Sequence, residues 1–316
     1  MTAYKEPKTL SMKVAILLCT MNGGTFLRQQ LDSYAAQTHT QWDLWVSDDG
    51  SSDDTCAILW AQRAKWAKNR LEIVSGPRKG FAANFLSLVC NTSIKADCFA
   101  YSDQDDVWMT EKLALALKWL STVPTNIPAL YCSRTELVDA TGQYIGLSQS
   151  FLRSPSFRNA LTQNLGGGNT MVFNDATRQL LIKAGADVGV IAHDWWTYLA
   201  VSGCGGKVLF DQTPTVQYRQ HRGNLLGANH SFFAPIISSR RMFDGSFRMW
   251  NTQNIKALHK IDRLLSPMSK ATLHDFLIMR DKALLPRIFG MLKAGIYRQT
   301  LSGNLGLLIA TLLKRI

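Results

Sequence analysis

The stretch VAILLCTMNGGTFLRQQLDSYAAQTHTQWDLWVSDDG, Val14 to Gly50, sets the fold class. Val14 to Cys19 is an unbroken apolar run of strand length, the composition of a parallel strand covered on both faces. Thr20-Met21-Asn22-Gly23-Gly24 then supplies a turn, and Leu27, Leu31, Tyr34 and Ala35 recur at helical spacing. Trp42 to Ser47 reads as a second strand, ending at Asp48-Asp49-Gly50. Strand, helix, strand implies a right-handed crossover between parallel neighbours.

The alternation continues outward from this unit. Helices are expected from about Thr55 to Ala67, Phe81 to Val89 and Lys112 to Leu120. Strands are expected at Leu71 to Val74, at the run ending in Ser102-Asp103, and at Ala129 to Ser133, with a turn at Thr141-Gly142. After Gly166-Gly167-Gly168 come a short strand (Thr170 to Phe173), a helix through Leu180 and Ile182, and a helix opening at His193-Asp194-Trp195-Trp196. The pattern predicts an α/β fold with an open sheet, whose ligands bind outside the carboxyl ends of the strands. From Ser231 onward the sequence is basic and helix-compatible without strand alternation, which places a boundary near residue 225. The expected organisation is a tail over 1–12, an α/β domain over 13–225 and a basic helical region over 226–316.

With 316 residues, 46% of them apolar, the chain can bury a large core. Its net charge of +12 is uneven: residues 1–214 carry 19 Lys/Arg and 19 Asp/Glu, and residues 215–316 carry 16 and 4. A basic segment of this kind favours an anionic partner, whether phospholipid headgroups, a lipid diphosphate or nucleic acid. Leu305 to Leu313 followed by Lys314-Arg315 is apolar with a basic end, but too short to span a bilayer, so it reads as interfacial or packed. The six cysteines include no Cys-x-x-Cys pair and fall mostly in apolar stretches, which argues against a zinc site or a disulfide framework. Val14 to Cys19 is too short for a signal-peptide core, and the expected compartment is the cytosol.

Three polar motifs stand at predicted strand or helix ends. In Tyr101-Ser102-Asp103-Gln104-Asp105-Asp106-Val107-Trp108 three carboxylates crowd the end of an apolar run. Like charges at that density repel unless a cation compensates them, and an Asp-x-Asp at a strand end suits a hard divalent ion with positions left for substrate phosphates. The alternative is a solvated acidic loop, and Asp106 reads as a cap for the helix ahead of Lys112. In Asp48-Asp49-Gly50-Ser51-Ser52-Asp53-Asp54, Ser52 or Asp53 can cap the next helix, whereas Asp48 and Asp49 can accept from a base N–H or ribose hydroxyls. His193-Asp194 is either a helix start or a general base, and the following tryptophans favour the base by excluding water. Trp108, Trp195 and Trp196 read either as packing or as the wall of a sugar or acceptor pocket. His221, within Tyr218-Arg219-Gln220-His221-Arg222, is either structural or a metal or diphosphate contact.

Taken in order, Thr20-x-Asn22-Gly23, Gln37-Thr38, Ser47-Asp48-Asp49-Gly50-Ser51, Ser102 to Trp108, His193 to Trp196 and Arg219-x-His221 resemble the large inverting glycosyltransferase family two. The rhamnosyltransferase-like branch that builds bacterial surface polysaccharides is the nearest in flavour, over about residues 13 to 225. The resemblance implies a GT-A fold: an open, mixed, mainly parallel sheet flanked by helices. It also implies that Thr20, Asn22 and Asp49 border the nucleoside with Asp48 supporting that loop. Asp103 would approach ribose or metal, Asp105 would ligate Mg²⁺ or Mn²⁺, Asp194 would be the general base, and His221 would touch metal or diphosphate. Met21 departs from the aromatic residue usual in relatives, and Gly168-Asn169-Thr170 matches their acceptor-side loop only loosely.

The expected function is inverting transfer from a nucleotide-diphosphate sugar, dTDP-rhamnose or a UDP-hexose, to a glycan or polyprenyl-diphosphate-linked acceptor. The basic region would dock on the anionic inner face of the cytoplasmic membrane, with no nucleic-acid partner. A sugar-phosphate nucleotidyltransferase would use similar aspartates, but Thr20 to Thr25 lacks the basic residue its loop requires. A nucleic-acid-binding protein would explain the basic tail and leave the acidic strand ends unexplained. No Gly-x-Gly-x-x-Gly follows the first strand, and no Walker A or Gly-x-Ser-x-Gly motif occurs.

Overall fold

In the computed structural model, which describes residues 11–221 and 245–316, the first apolar run forms β1 (Val14–Thr20), every residue of it buried. Alternate side chains leave a strand on opposite faces. Val14, Ile16 and Leu18 therefore enter one core, and Ala15, Leu17 and Cys19 enter another on the far side of the sheet. This double burial is why the sequence shows a continuous apolar run and no alternation.

The other strands are β2 (Trp42–Asp48), β3 (Leu71–Ser75), β4 (Cys98–Ser102), β5 (Val107–Trp108), β6 (Ala129–Val138), β7 (Tyr144–Leu147), β8 (Val172–Asn174) and β9 (Lys207–Arg219). They form one sheet in the order β3-β2-β1-β4-β8-β6-β9-β5, with β7 paired to β6. β1, β2, β3 and β4 are mutually parallel where they pair, as the crossover units require. β8 is antiparallel to both β4 and β6, and β9 is parallel to β6. The sheet is thus mixed and mainly parallel. Thr170 belongs to a single 3-10 turn (Gly168–Thr170), so the strand expected from Thr170 begins at Val172.

One core packs the sheet against α1 (Gly24–Ala35), α2 (Thr55–Lys65) and α4 (Lys112–Leu120), through Leu27, Leu31, Ile58, Leu59, Leu113 and Leu117. The other takes α3 (Phe81–Cys90), the short α5 (Phe157–Ala160), α6 (Asp175–Ala184) and α7 (His193–Gly203). Where it is described, the basic region is helical as expected: α8 (Ser246–Lys260), α9 (Pro267–Asp281), α10 (Leu284–Ala294) and α11 (Leu301–Leu312). Phe247, Ile255, Leu258, Phe276 and Leu307 join the same core as Trp195, Trp196 and Leu199. The described C-terminal helices therefore share a core with the sheet. The boundary expected near residue 225 lies outside the described residues, as does most of the 1–12 tail. All six cysteines are free thiols.

Candidate active site

Topology brings the chemistry-bearing residues to one rim. Thr20 at the end of β1 is in register with Asp48 at the end of β2, and Ser102 at the end of β4 stands beside Leu18. Two antiparallel steps, β4 to β8 and β8 to β6, restore the original direction, so β9 also ends at this rim with Arg219. α7 precedes β9 through a tight connection in which Gly206 N donates to Val201 O at 2.8 Å. Its N-terminus, with His193 and Asp194, faces back toward the same edge.

The loop after β1 is clamped onto the acidic tract. Gln104 Oε1 accepts from Met21 N at 2.9 Å while Gln104 Nε2 donates to Met21 O at 3.0 Å. A Cβ on residue 23 would overlap the Gln104 amide, which is why glycine follows Asn22. Asn22 sits in the left-handed region at φ 52°. Its Oδ1 accepts from Ser52 N at 2.8 Å, and its own N donates to Ser51 Oγ at 2.8 Å. Thr20 Oγ1 donates to Asp48 Oδ1 at 2.8 Å, and Asp48 also accepts from Ser51 Oγ (2.6 Å), Ser51 N (2.9 Å) and Gly50 N (3.1 Å). Burial pushes the Asp48 carboxyl up, but these donors outweigh it and hold the group below its ordinary value. Asp49 accepts from Arg78 N at 2.5 Å and Gly80 N at 3.2 Å, tying down the loop after β3. Thr20, Asn22, Asp48 and Asp49 therefore brace two loops that together line the rim.

Asp103 has a different environment. Ser102 beside it is fixed from behind by the Gln30 amide oxygen, which accepts from Ser102 Oγ at 2.6 Å, and by Tyr34 Oη, 2.6 Å from the same Oγ. The half-buried Asp103 carboxylate receives no hydrogen bond among the described residues. Burial first, then the charges of Asp105 and Asp194, push its pKa up to about 8. Asp105 Oδ2 lies 2.7 Å from His221 Nε2. Asp103, Asp105, Asp194 and His221 are thus brought together.

Asp106 and the tryptophans depart from expectation. Asp106 does not cap the next helix: it is fully buried, accepting from Asn169 Nδ2 at 2.6 Å and Arg219 N at 3.2 Å, and Glu111 stands at the helix start. Burial, then the neighbouring Asp105 and Asp103, raise its pKa well above the usual range despite those bonds. The tryptophans expected to wall a sugar pocket pack inside instead. Trp108 is 2% exposed with its ring edge-on to Tyr34, and Trp196 is fully buried. Trp195 is 7% exposed and spends its Nε1 on Ala160 O at 2.7 Å. The physical reason is that aromatic rings bury 150–250 Å² as a rough range, and each of these faces a core with room for it.

Asp194 lies in the first turn of α7, where the helix dipole favours a negative charge. Its Oδ1 accepts from Trp195 N at 2.6 Å and its Oδ2 from Gly168 N at 3.1 Å. Burial nevertheless raises its pKa, against these bonds and one from Asn164. Gly168 carries no side chain because a Cβ would overlap the His193 ring. That ring is stacked on Phe85 at 3.8 Å and is kept neutral by burial, which lowers its pKa to about 3.

Four residues that sequence reasoning gave no role complete the site's support. Gln104 is the clamp described above. Lys112, fully buried, donates from Nζ to Asn169 O at 2.9 Å and lies 4.6 Å over the Trp108 ring. Burial lowers its pKa to about 7 despite the nearby Asp106. Asn169 thereby joins Lys112 to Asp106, one residue from the Gly168 N–H that holds Asp194. Arg219 closes the other side, donating from Nε to Asp105 O at 3.0 Å and from NH2 to Gln29 Oε1 at 2.6 Å. A polar residue directly after three glycines marked Asn169; nothing local marks a lysine in a first helical turn as pointing inward.

Among the described residues, no group of three or more His, Cys, Asp or Glu side chains encloses a metal position, so Asp103, Asp105 and His221 are no closed cage. The donor set fits a cation all the same. Crowded carboxylates with raised pKa values lack positive charge, and Mg²⁺-like ions bind through one or two carboxylates plus substrate phosphates.

Comparison with known proteins gives the family and the fold. The sequence model for glycosyl transferase family 2 matches residues 15–181, more than half of the chain. The dTDP-rhamnosyl transferase RfbG of Shigella flexneri is 29% identical over 231 residues, covering 69% of this chain and 76% of that protein. The structure of S. aureus TarS 1–349 in complex with UDP-GlcNAc superposes with a TM-score of 0.54 at 16% identity, over 90% of this chain and 79% of that one. Mannosyltransferase PcManGT from Pyrobaculum calidifontis, solved with GDP-Man and Mn²⁺, gives 0.50 at 18% identity, over 96% and 86%. At such identities the structures speak for the fold, while the matched residues speak for the family. The chain belongs to glycosyl transferase family 2 and is a glycosyltransferase built on the GT-A fold.

Proposed function

We propose that the protein transfers a sugar, with inversion, from a nucleotide-diphosphate donor to a hydroxyl of a glycan or polyprenyl-diphosphate-linked glycan in cell-surface polysaccharide synthesis, such as that of a lipopolysaccharide O-antigen. The observation that carries this reading is Asp194, a half-buried carboxylate held by two backbone N–H groups within the electrostatic reach of Asp103. The donor is dTDP-rhamnose or a UDP-hexose, the first supported by the identity to a dTDP-rhamnosyl transferase. The braced loops at Thr20 to Asn22 and Asp48-Asp49 border its nucleoside, with Asp103 toward the ribose.

Asp194 takes the proton of the acceptor hydroxyl as its oxygen attacks the anomeric carbon, and the bond from that carbon to the diphosphate oxygen breaks. A carboxylate whose pKa is raised by burial is better matched to this proton than an exposed one. Asp105, with Asp103 and His221 beside it, would hold Mg²⁺ or Mn²⁺, which supplies Lewis-acid neutralisation of the departing diphosphate. The basic C-terminal helices keep the enzyme at the anionic inner face of the cytoplasmic membrane, where such acceptors reside. Among the described residues, no helix is long and apolar enough to cross a membrane.

A thermal-shift screen of dTDP-rhamnose, UDP-glucose and UDP-galactose, each with and without Mn²⁺, tests the reading. One donor should raise the melting temperature in a Mn²⁺-dependent way, and Asp105→Ala should abolish the Mn²⁺ dependence. No shift with any nucleotide sugar would reject it.

A further inference from the structure

The last two helices each bury one face and leave an apolar face outside. In α10, Arg287, Met291 and Ala294 point inward, whereas Leu285 (66% exposed), Phe289 (70%) and Leu292 (65%) form a stripe with the half-buried Ile288. In α11, Leu307, Ala310 and Thr311 point inward, and Leu301 (92%), Leu305 (60%) and Leu312 (41%) point out, with Leu308 between them. Spacings of three and four residues put each set on one side of its helix. α9 and α10, and α10 and α11, pack against each other. Soluble monomers rarely leave large contiguous apolar surface uncovered, and where they do it marks an interaction face.

The charge around the stripes identifies what covers them. Residues 282–316 contain six Lys/Arg and no Asp or Glu. Arg287 and Arg298 are engaged inward, donating or packing against the helices, while Lys282, Lys314 and Arg315 stand exposed at the stripe ends and the exposed Lys293 pairs with Asp275 at 2.9 Å. An apolar face bordered by cations, on helices that carry no carboxylate of their own over 282–316, is the composition of an interfacial helix on anionic lipid, its long basic side chains reaching the headgroups while leucines enter the acyl boundary. A second copy of the chain would set two such cationic surfaces against each other.

We infer that α10 and α11 form a lipid-insertion face, with Leu285, Phe289, Leu292, Leu301 and Leu305 entering the outer acyl region of an anionic leaflet. This deepens the proposed membrane-proximal function and rests on it for its purpose, though lipid binding is measured independently of sugar transfer. The stripe orients the enzyme; it does not anchor it permanently, because neither helix spans the bilayer.

Flotation of the full chain with phosphatidylcholine vesicles containing phosphatidylglycerol, against pure phosphatidylcholine, reads the interaction. The wild type should partition onto the anionic vesicles, with binding weakened by high salt. The exposed triple variant Leu285→Ser, Phe289→Ser, Leu292→Ser should bind tenfold more weakly or worse with an unchanged melting temperature, and Leu301→Ser, Leu305→Ser should weaken it similarly. Donor-induced thermal shifts should be equal in all variants. Absence of wild-type binding, equal binding by the variants, or a dimer in light scattering that the variants abolish without any lipid binding would each overturn the inference. Intact lipid binding with no donor-induced shift would instead reject the proposed sugar transfer and leave this face standing.

Discussion

Asp194→Asn separates what this carboxylate does for the fold from what it does for the reaction. The carboxylate offers two acceptor oxygens, one to Trp195 N at 2.6 Å and one to Gly168 N at 3.1 Å. An asparagine keeps one oxygen and turns an NH₂ toward the other N–H, so one buried donor loses its partner at a cost of about 1–3 kcal/mol. The opposite effect accompanies it, because the neutral amide ends a charge that burial disfavours and that bears on Asp103. The net stability change should stay below about 2 kcal/mol, a fall of a few degrees in melting temperature at roughly 2–4 °C per kcal/mol.

The catalytic effect should be far larger. Loss of a general base lowers turnover by roughly 10² to 10⁴, equivalent to about 3–5 kcal/mol of barrier. At assay temperature such a protein is still folded, so instability cannot account for a fall of that size. Nucleoside-diphosphate release at saturating donor gives turnover, calorimetry gives donor affinity, and a melt gives stability. Asp194→Ala loses both hydrogen bonds and should be less stable than Asp194→Asn but equally inactive. Turnover within tenfold of wild type in either variant, with donor bound normally, would refute the base assignment. A collapse of the fold in the asparagine variant would recast Asp194 as a brace for the Gly168 turn.

The site's electrostatics and packing set two further outcomes. Between pH 3.8 and about 8 the folded protein holds a proton on Asp103 that the unfolded chain releases, so this group makes stability fall as pH rises through that window. Between about 7 and 10.5 the unfolded chain holds a proton on Lys112 that the folded protein lacks, so this group makes stability rise. Compared with the wild type across pH, Asp103→Asn should lack the fall in melting temperature between pH 3.8 and about 8, and Lys112→Met the rise between about 7 and 10.5; difference profiles that are flat over those windows would contradict the assignments. Gly23→Ala drives a methyl into the Gln104 amide, so it should destabilise the protein by about 1–3 kcal/mol in urea melts, and adding Gln104→Ala should recover part of that loss. Strictly additive effects would mean the two residues do not touch.

The parallel half of the fold was legible because each element carried its own period. Val14 to Cys19 announced a strand buried on both faces, and the strand and helix bounds through Leu120 agree with the structure to within a few residues. The short strands were less legible for a physical reason: β5 has two residues and β8 three, too few to show any period, and both are held by pairing to distant strands. The aspartate clusters were visible as composition, but their division of labour was not. Asp106 looked like a cap because Asp commonly is one, and only Asn169, 63 positions away, makes it an interior residue. Trp195 and Trp196 looked like a platform because nothing in a single chain distinguishes a ring that faces a cavity from one that faces a core.

The aspartates themselves show how one residue type is sorted by its partners. Asp48 has four donors, and its charge is so well satisfied that it titrates below the usual range; such a group holds a loop and is a poor proton acceptor. Asp106 has two donors but no solvent, and its carboxyl joins Asn169, Arg219 and, through Asn169, Lys112 into a support behind the rim. Asp103 has no donor among the described residues and two charged neighbours, and its pKa is pushed up to about 8. Asp194 lies between these cases, fixed in direction by two N–H groups yet raised by burial. A site that must bind a polyanion and remove one proton needs both kinds: carboxylates already neutralised by the backbone to set the geometry, and carboxylates left short of positive charge to take up whatever arrives. Replacing Asp48 should therefore act on loop order and donor affinity, whereas replacing Asp103 or Asp194 acts on charge at the reacting end.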